Sequence, residues 1–131
     1  MKSLQCVLLI DDDFITNYLN TNLLKRLGVA DQVLVARNGE EALSMLAQAC
    51  GPSGDTPPAL ILLDINMPVM NGIEFLEAYQ PQFPAQPIVV IALTTTTHPT
   101  DMARLRELSI TDIIAKPLNQ EKLTTIMQKF F

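Results

Sequence analysis

The stretch Ala59–Gly72, ALILLDINMPVMNG, constrains the fold more than any other, because an apolar run stops on a carboxylate and passes at once into a loop marked by proline and glycine. Leu60 to Leu63 are apolar without alternation, the pattern of a strand covered on both faces, as at the centre of a parallel sheet. Asp64 then falls at the C-terminal tip of that strand. In open parallel α/β sheets the ligand crevice lies outside the carboxyl ends of the strands, so a polar side chain there is placed for chemistry. Taken alone, Asp64 reads equally well as a helix cap or a turn aspartate.

Three further strand ends alter that balance. CVLLI runs into Asp11, Asp12 and Asp13, PIVVIAL runs into Thr94, and DIIA runs into Lys116 and Pro117. If these strands are parallel neighbours, carboxylates, a hydroxyl and an ammonium converge on Asp64. Acidic side chains packed together repel one another, and their pKa values rise unless a cation lies among them. A divalent metal is the natural complement.

In this order and spacing, the pieces LLIDDD, LDINMPVMNG, IALT and AKP resemble the receiver domain of the two-component response regulators, over essentially the whole chain. The resemblance implies a flavodoxin-like three-layer α/β sandwich, with a five-stranded parallel sheet in the order 2-1-3-4-5 and five helices. It implies a single receiver domain over residues 1–131, of the stand-alone type. Asp64 would be the phosphoacceptor, loaded by a histidine kinase or a histidine phosphotransfer protein. A magnesium ion would be held directly by Asp12, Asp64 and the backbone carbonyl of Asn66, with Asp11 acting mainly through water. Lys116 would pair with one phosphoryl oxygen, and its bond to Pro117 is cis in the family. Thr94 would donate to another oxygen. Four threonines, Thr94 to Thr97, are candidates for that donor, and Thr94 is chosen because it directly follows the apolar run and matches the family position. Asn66 and Thr96 would tune hydrolysis of the acyl phosphate. The only chemistry implied is self-phosphorylation and autodephosphorylation at Asp64, with output through contact with an unidentified protein target. Two departures from the family stand out: Ile113 takes a place that is often aromatic, and Ser109-Ile110 stands where Gly-Ala is common.

Composition narrows the partners. At 131 residues and 48% hydrophobic content the chain suits one compact domain. The net charge is −5 and the sequence pI about 4.6, and lysines and arginines form no cluster, which disfavours nucleic acid and anionic membranes as partners. The N-terminal apolar run, Cys6 to Ile10, is too short for a signal-peptide core or a spanning helix, so a cytoplasmic protein is expected. Cys6 and Cys50 read as free thiols. His98, the only histidine, lacks metal-spaced partners and is expected in a solvent-facing or helix-start role rather than a catalytic one.

Periodicity supplies the remaining elements. Strands are expected at Leu4–Ile10, Gln32–Ala36, Ile88–Leu93 and Asp112–Ala115, beside the central one. Asp13 is expected to cap a helix from Phe14 to about Leu27, with Ile15, Tyr18, Leu19, Leu23 and Leu27 at helical spacing and Gly28 ending it. A helix from Asn38-Gly39 to about Ala49 should turn Ala42, Leu43 and Leu46 inward. Gly72 to about Tyr79 should bury Ile73, Leu76 and Tyr79, before an extended connection through Pro81, Pro84 and Pro87. Pro99 to about Leu108 should bury Met102, Leu105 and Leu108. Asn119 should cap a last helix, Gln120–Phe130, with Leu123, Ile126, Met127 and Phe130 inward. Residues 50–58, CGPSGDTPP, read as an irregular loop on the side away from Asp64.

Two other readings compete. LLIDDD also resembles the strand and Asp-x-Asp of haloacid-dehalogenase-type phosphohydrolases, which need acidic ligands after their lysine, and only Glu121 follows Lys116 here. A degenerate receiver acting as a binding scaffold is opposed by the intact set Asp11, Asp12, Asp64, Thr94 and Lys116.

Overall fold

The computed structural model describes residues 3–49, 57–67, 69–82, 88–95, 99–108 and 110–131. Cys50 and most of the loop 50–58, Pro84, Pro87, Thr96, Thr97, His98 and Ser109 lie outside the described residues. Strands and helices alternate: β1 Leu4–Ile10, α1 Phe14–Arg26, β2 Ala30–Ala36, α2 Gly39–Ala49, β3 Leu60–Asp64, α3 Gly72–Gln82, β4 Val89–Thr94, α4 Pro99–Glu107, β5 Asp112–Ala115 and α5 Gln120–Phe130. The sheet is parallel throughout, in the order β2-β1-β3-β4-β5. The flavodoxin-like expectation is met.

The inner strands β1, β3 and β4 bury both faces because helices cover both. On one side Leu8, Ile10, Ile61, Leu63, Val90 and Ala92 pack against Leu46 of α2, Phe75 and Tyr79 of α3 and Leu105 of α4. On the other, Val7, Leu9, Leu60, Leu62 and Ile91 meet Leu24 of α1 and Leu123, Ile126 and Met127 of α5. Truncating any of the fully buried leucines to alanine leaves a cavity worth about 2–5 kcal/mol. Phe75, absent from the expected inner face of α3, is fully buried and stacks on Tyr79 with ring centroids 5.5 Å apart.

The chain reverses direction across the sheet between β1 and β3. Their pairing sets Ile10 opposite Leu63, so Asp11 and Asp64 leave the sheet side by side. On the other flank Asp64 pairs with Leu93, and Thr94 pairs with Ala115. Lys116 is therefore the first residue beyond the edge strand, next to the same crevice.

Four sequence expectations need correction. In α1 the buried residues are Asn17, Asn20, Leu23 and Leu24, while Phe14, Ile15, Tyr18 and Leu19 stand 77%, 65%, 59% and 59% exposed. The helix carries two usable faces, and a buried hydrogen bond from Asn17 Nδ2 to the Asp11 carbonyl (2.8 Å) selects the one holding the asparagines. Helix α3 does not stop at Tyr79 but runs through Pro81 to Gln82. One residue from the helix end, a proline removes a single donor from the last turn, which the helix tolerates. Strand β2 begins at Ala30 rather than Gln32, and β4 takes in Thr94 as its last paired residue rather than ending at Leu93.

Other local signals act as read. Asp13 caps α1, Asn38 accepts from the Glu41 N–H at the start of α2 (2.8 Å), and Asn119 caps α5. Gly28 closes α1 at φ +66, and the Lys116–Pro117 peptide is cis.

Val69, in the β3–α3 loop, holds φ at 68° with its side chain 75% exposed. A β-branched residue in the left-handed region is strained by about 1–2 kcal/mol, and glycine there gives back roughly 0.5–1 in unfolded-chain entropy. Val69→Gly is expected to raise unfolding free energy by about 0.5–1 kcal/mol in urea titration. A drop in stability would show that the exposed side chain makes contacts that outweigh the strain.

Candidate functional site

The three carboxylates of Asp11, Asp12 and Asp64 bring one oxygen each within 4.8 Å of one another. Asp11 and Asp64 are 5% and 6% exposed, and Asp12 is open to solvent at the rim. Lys116 reaches between the two buried ones, with Nζ 2.9 Å from Asp11 Oδ2 and 3.1 Å from Asp64 Oδ1. Its backbone N–H donates to the carbonyl of Thr94 (3.0 Å), which ties the end of β5 to the end of β4. Thr94 is buried beside them, and the Asn66 N–H donates to the Asp64 carboxylate. The structure thus gathers Asp11, Asp12, Asp64, Asn66, Thr94 and Lys116 at one end of the sheet. Asp13 stands apart, its carboxylate taken up by the Ile15 N–H (3.3 Å) and the Thr16 hydroxyl (2.5 Å).

Local devices fix the loops that carry these groups. Asp11 Oδ1 accepts from the Asp13 N–H (2.9 Å), and Asn17 holds the Asp11 carbonyl. After β3, Asn71 and Glu74 cap each other's N–H groups at the start of α3 (3.1 and 2.9 Å), a reciprocal box. Gly72 follows, and its N–H donates to the Ile65 carbonyl (2.9 Å). A Cβ at Gly72 would lie 2.7 Å from the Asp64 carbonyl oxygen, so only glycine lets α3 start this close to the Asp64 backbone. Asn17 was not foreseen as part of the site. Its signal is the spacing Asn17, Asn20, Leu24, Leu27, a helical face as regular as the apolar one.

The electrostatics favour a cation among these carboxylates. Burial pushes the Asp64 carboxyl up, and the neighbouring Asp11 charge adds to this, while Lys116 and the Asn66 N–H offset only part of it. Burial pulls the Lys116 ammonium down, but the hydrogen bond and charge of Asp11, with Asp64 behind them, outweigh it and the net shift is up. The lysine is committed more to Asp11, the shorter contact. Three carboxylates against one ammonium leave an excess of two negative charges, the complement of one divalent ion. An oxygen-only cluster of this kind suits a hard cation.

The raised Asp64 value has a stability consequence. A group whose folded pKa lies above its unfolded one contributes stability that is full below the unfolded value, here an ordinary 3.8, and lost as pH rises through the folded value. Asp64→Asn is neutral at every pH and keeps that contribution. Without metal, its melting temperature at pH 7 is expected above that of wild type, with the gap closing as pH falls below about 4. Parallel melting curves across that range would show that Asp64 ionises without penalty.

Comparison with known proteins agrees with this arrangement. The model of the response regulator receiver domain matches residues 7–128. A two-component response regulator of Oryza sativa subsp. japonica, ORR41, is 34% identical over 124 residues, covering 95% of this chain and 92% of its own. The sensor histidine kinase CheAY of Helicobacter pylori is 36% identical over 123 residues, but the match spans 94% of this chain and only 14% of the kinase. In structure, a two-component response regulator from Cytophaga hutchinsonii superposes with a TM-score of 0.83 at 28% identity, over 98% of this chain and 97% of that one. Receiver domains act in two-component signalling by accepting a phosphoryl group from histidine kinases, and this chain belongs to the response regulator receiver domain family.

Proposed function

We propose that Asp64 is the phosphoacceptor, and that the chain draws its phosphoryl group from the phosphohistidine of a kinase or phosphotransfer protein in the cytosol. The observation that carries this is the surplus negative charge around a buried carboxylate whose one counter-ion among the described residues, Lys116, is shared with Asp11. An Asp64 oxygen attacks phosphorus as the phosphorus–nitrogen bond to the imidazole breaks and its electron pair returns to the ring. Asp12, Asp64 and the Asn66 carbonyl would hold magnesium, with Asp11 acting through water, and the ion would supply charge neutralisation for the phosphoryl oxygens. Lys116 turns from the two carboxylates to one phosphoryl oxygen, and Thr94 donates its hydroxyl to another. The chain acts on no separate substrate, and autodephosphorylation at Asp64 resets it.

The rim supports a protein as phosphodonor. Phe14, Ile15, Tyr18 and Leu19 on α1 and Val69 after β3 are exposed apolar side chains beside the crevice, and patches of this kind mark interaction surfaces. Output passes by contact to a further protein target.

Metal binding tests the reading. A cation that binds only the native state stabilises it by mass action, so millimolar magnesium is expected to raise the melting temperature of wild type. Asp12→Ala loses a ligand and a repelling charge together, and should be at least as stable without metal yet gain much less from it. Equal magnesium shifts at matched ionic strength would place the metal elsewhere.

A further inference from the structure

Among the described residues, the one buried side-chain atom with no hydrogen-bond partner is Oδ1 of Asn17, a residue 7% exposed on the inner face of α1. An unpaired buried acceptor costs about 1–3 kcal/mol, a penalty that leucine at the same position would avoid. The other half of the amide therefore has to account for an asparagine here. Nδ2 donates to the Asp11 carbonyl at 2.8 Å, in a buried contact six residues back along the chain.

That carbonyl belongs to the peptide group preceding Asp12. The peptide group following Asp12 is fixed as well, because the Asp13 N–H donates to Asp11 Oδ1 at 2.9 Å. Asp12 itself is exposed, and its side chain makes no hydrogen bond or ion pair among the described residues. Its direction is set by the two peptide planes on either side, one held by Asp11 and the other by Asn17. We propose that Asn17 is a positioning residue for the cation site, orienting the Asp12 carboxylate through the Asp11 carbonyl without touching the ion. The inference rests on Asp12 being a metal ligand, as argued above. Groups that orient metal ligands from behind commonly carry 10–100-fold in affinity.

The test uses Asn17→Leu, close in volume, with Asn20→Leu as control. Asn20 is also 7% exposed on the same helix, and it makes no hydrogen bond to residues 11–13. Magnesium affinity is read by calorimetric titration, and the Asp12 and Asp13 amide positions by nitrogen–proton NMR spectra of the metal-free proteins. Asn17→Leu is expected to bind magnesium about 10-fold or more weakly and to move both amide signals. Its phosphorylation rate should fall at limiting magnesium and return close to that of wild type at saturation. Asn20→Leu should alter the melting temperature while leaving the affinity within about twofold. Asn17→Ser keeps a donor on a shorter stem and is expected to fall between; it serves as the folded variant if the leucine one does not fold. Unchanged affinity in a folded Asn17 variant, or an equal loss in Asn20→Leu, would overturn the inference alone. A wild-type protein that takes up no magnesium would overturn the reading of the site and the inference together.

Discussion

Incubated with acetyl phosphate and magnesium, the wild-type chain should gain one phosphoryl group, and Asp64→Asn should gain none. The effect is a complete loss because the neighbouring carboxylates are poor substitutes. Both Asp11 oxygens are already engaged, Oδ2 by Lys116 and Oδ1 by the Asp13 N–H. Asp12 lies at the exposed rim, without Lys116 at hand to receive a phosphoryl oxygen. Burial supports Asp64 in a second way: a carboxylate already short of solvation loses little more when the donor protein closes over it. Intact-mass and peptide mass spectrometry decide the matter, and a label on Asp12, Thr94 or any other residue would displace Asp64 from its role.

Lys116→Ala is expected to show two losses of different origin. Sequence alone gives the lysine a part only on the phosphoryl group, but in the structure its ammonium lies within 3.1 Å of two buried carboxylates. Removing one partner from such an arrangement leaves uncompensated buried charge, which costs about 3 kcal/mol even after Asp64 takes up a proton. Urea unfolding without metal should show that drop, and magnesium should recover part of it by supplying positive charge to the same oxygens. Phosphorylation-dependent change in the protein should be lost even where magnesium restores the fold. A loss of stability below about 0.5 kcal/mol would mean that solvent reaches the pair. A full signalling response in the variant would remove Lys116 from the site.

Legibility in the sequence followed the periodicity that each element could express. The sheet was readable because residues such as Leu60–Leu63 and Val89–Leu93 are apolar on both faces, and because four strands end in chemically distinct groups. Once the strand order is set, register alone brings Asp11, Asp64 and Lys116 together. Helix α1 was misread because its apolar residues and its asparagines recur with the same period. The choice between the faces is made by one long-range hydrogen bond, from Asn17 to Asp11, and hydropathy carries no trace of it. Pro81 misled for a related reason: proline predicts a break, and only the position of the last turn shows how few bonds there are to break. The pairing of Lys116 with Asp11 and Asp64 was hidden too, since a strand-end position does not say which neighbours a flexible ammonium prefers.

Helix α1 also bears on how such a chain can be redesigned. A design procedure that optimises burial would see Asn17 and Asn20 facing inward and Phe14, Ile15, Tyr18 and Leu19 facing water, and would exchange the two sets. Each replacement would look like an improvement, filling a polar gap with a hydrocarbon or wetting an exposed ring. The product would be a firmer scaffold in which Asp12 has lost the support proposed for it and the proposed phosphodonor surface is gone. In this helix, disagreement with the folding code coincides with the proposed working parts, and a redesign should hold Asn17 and the four exposed apolar positions fixed before it alters any other.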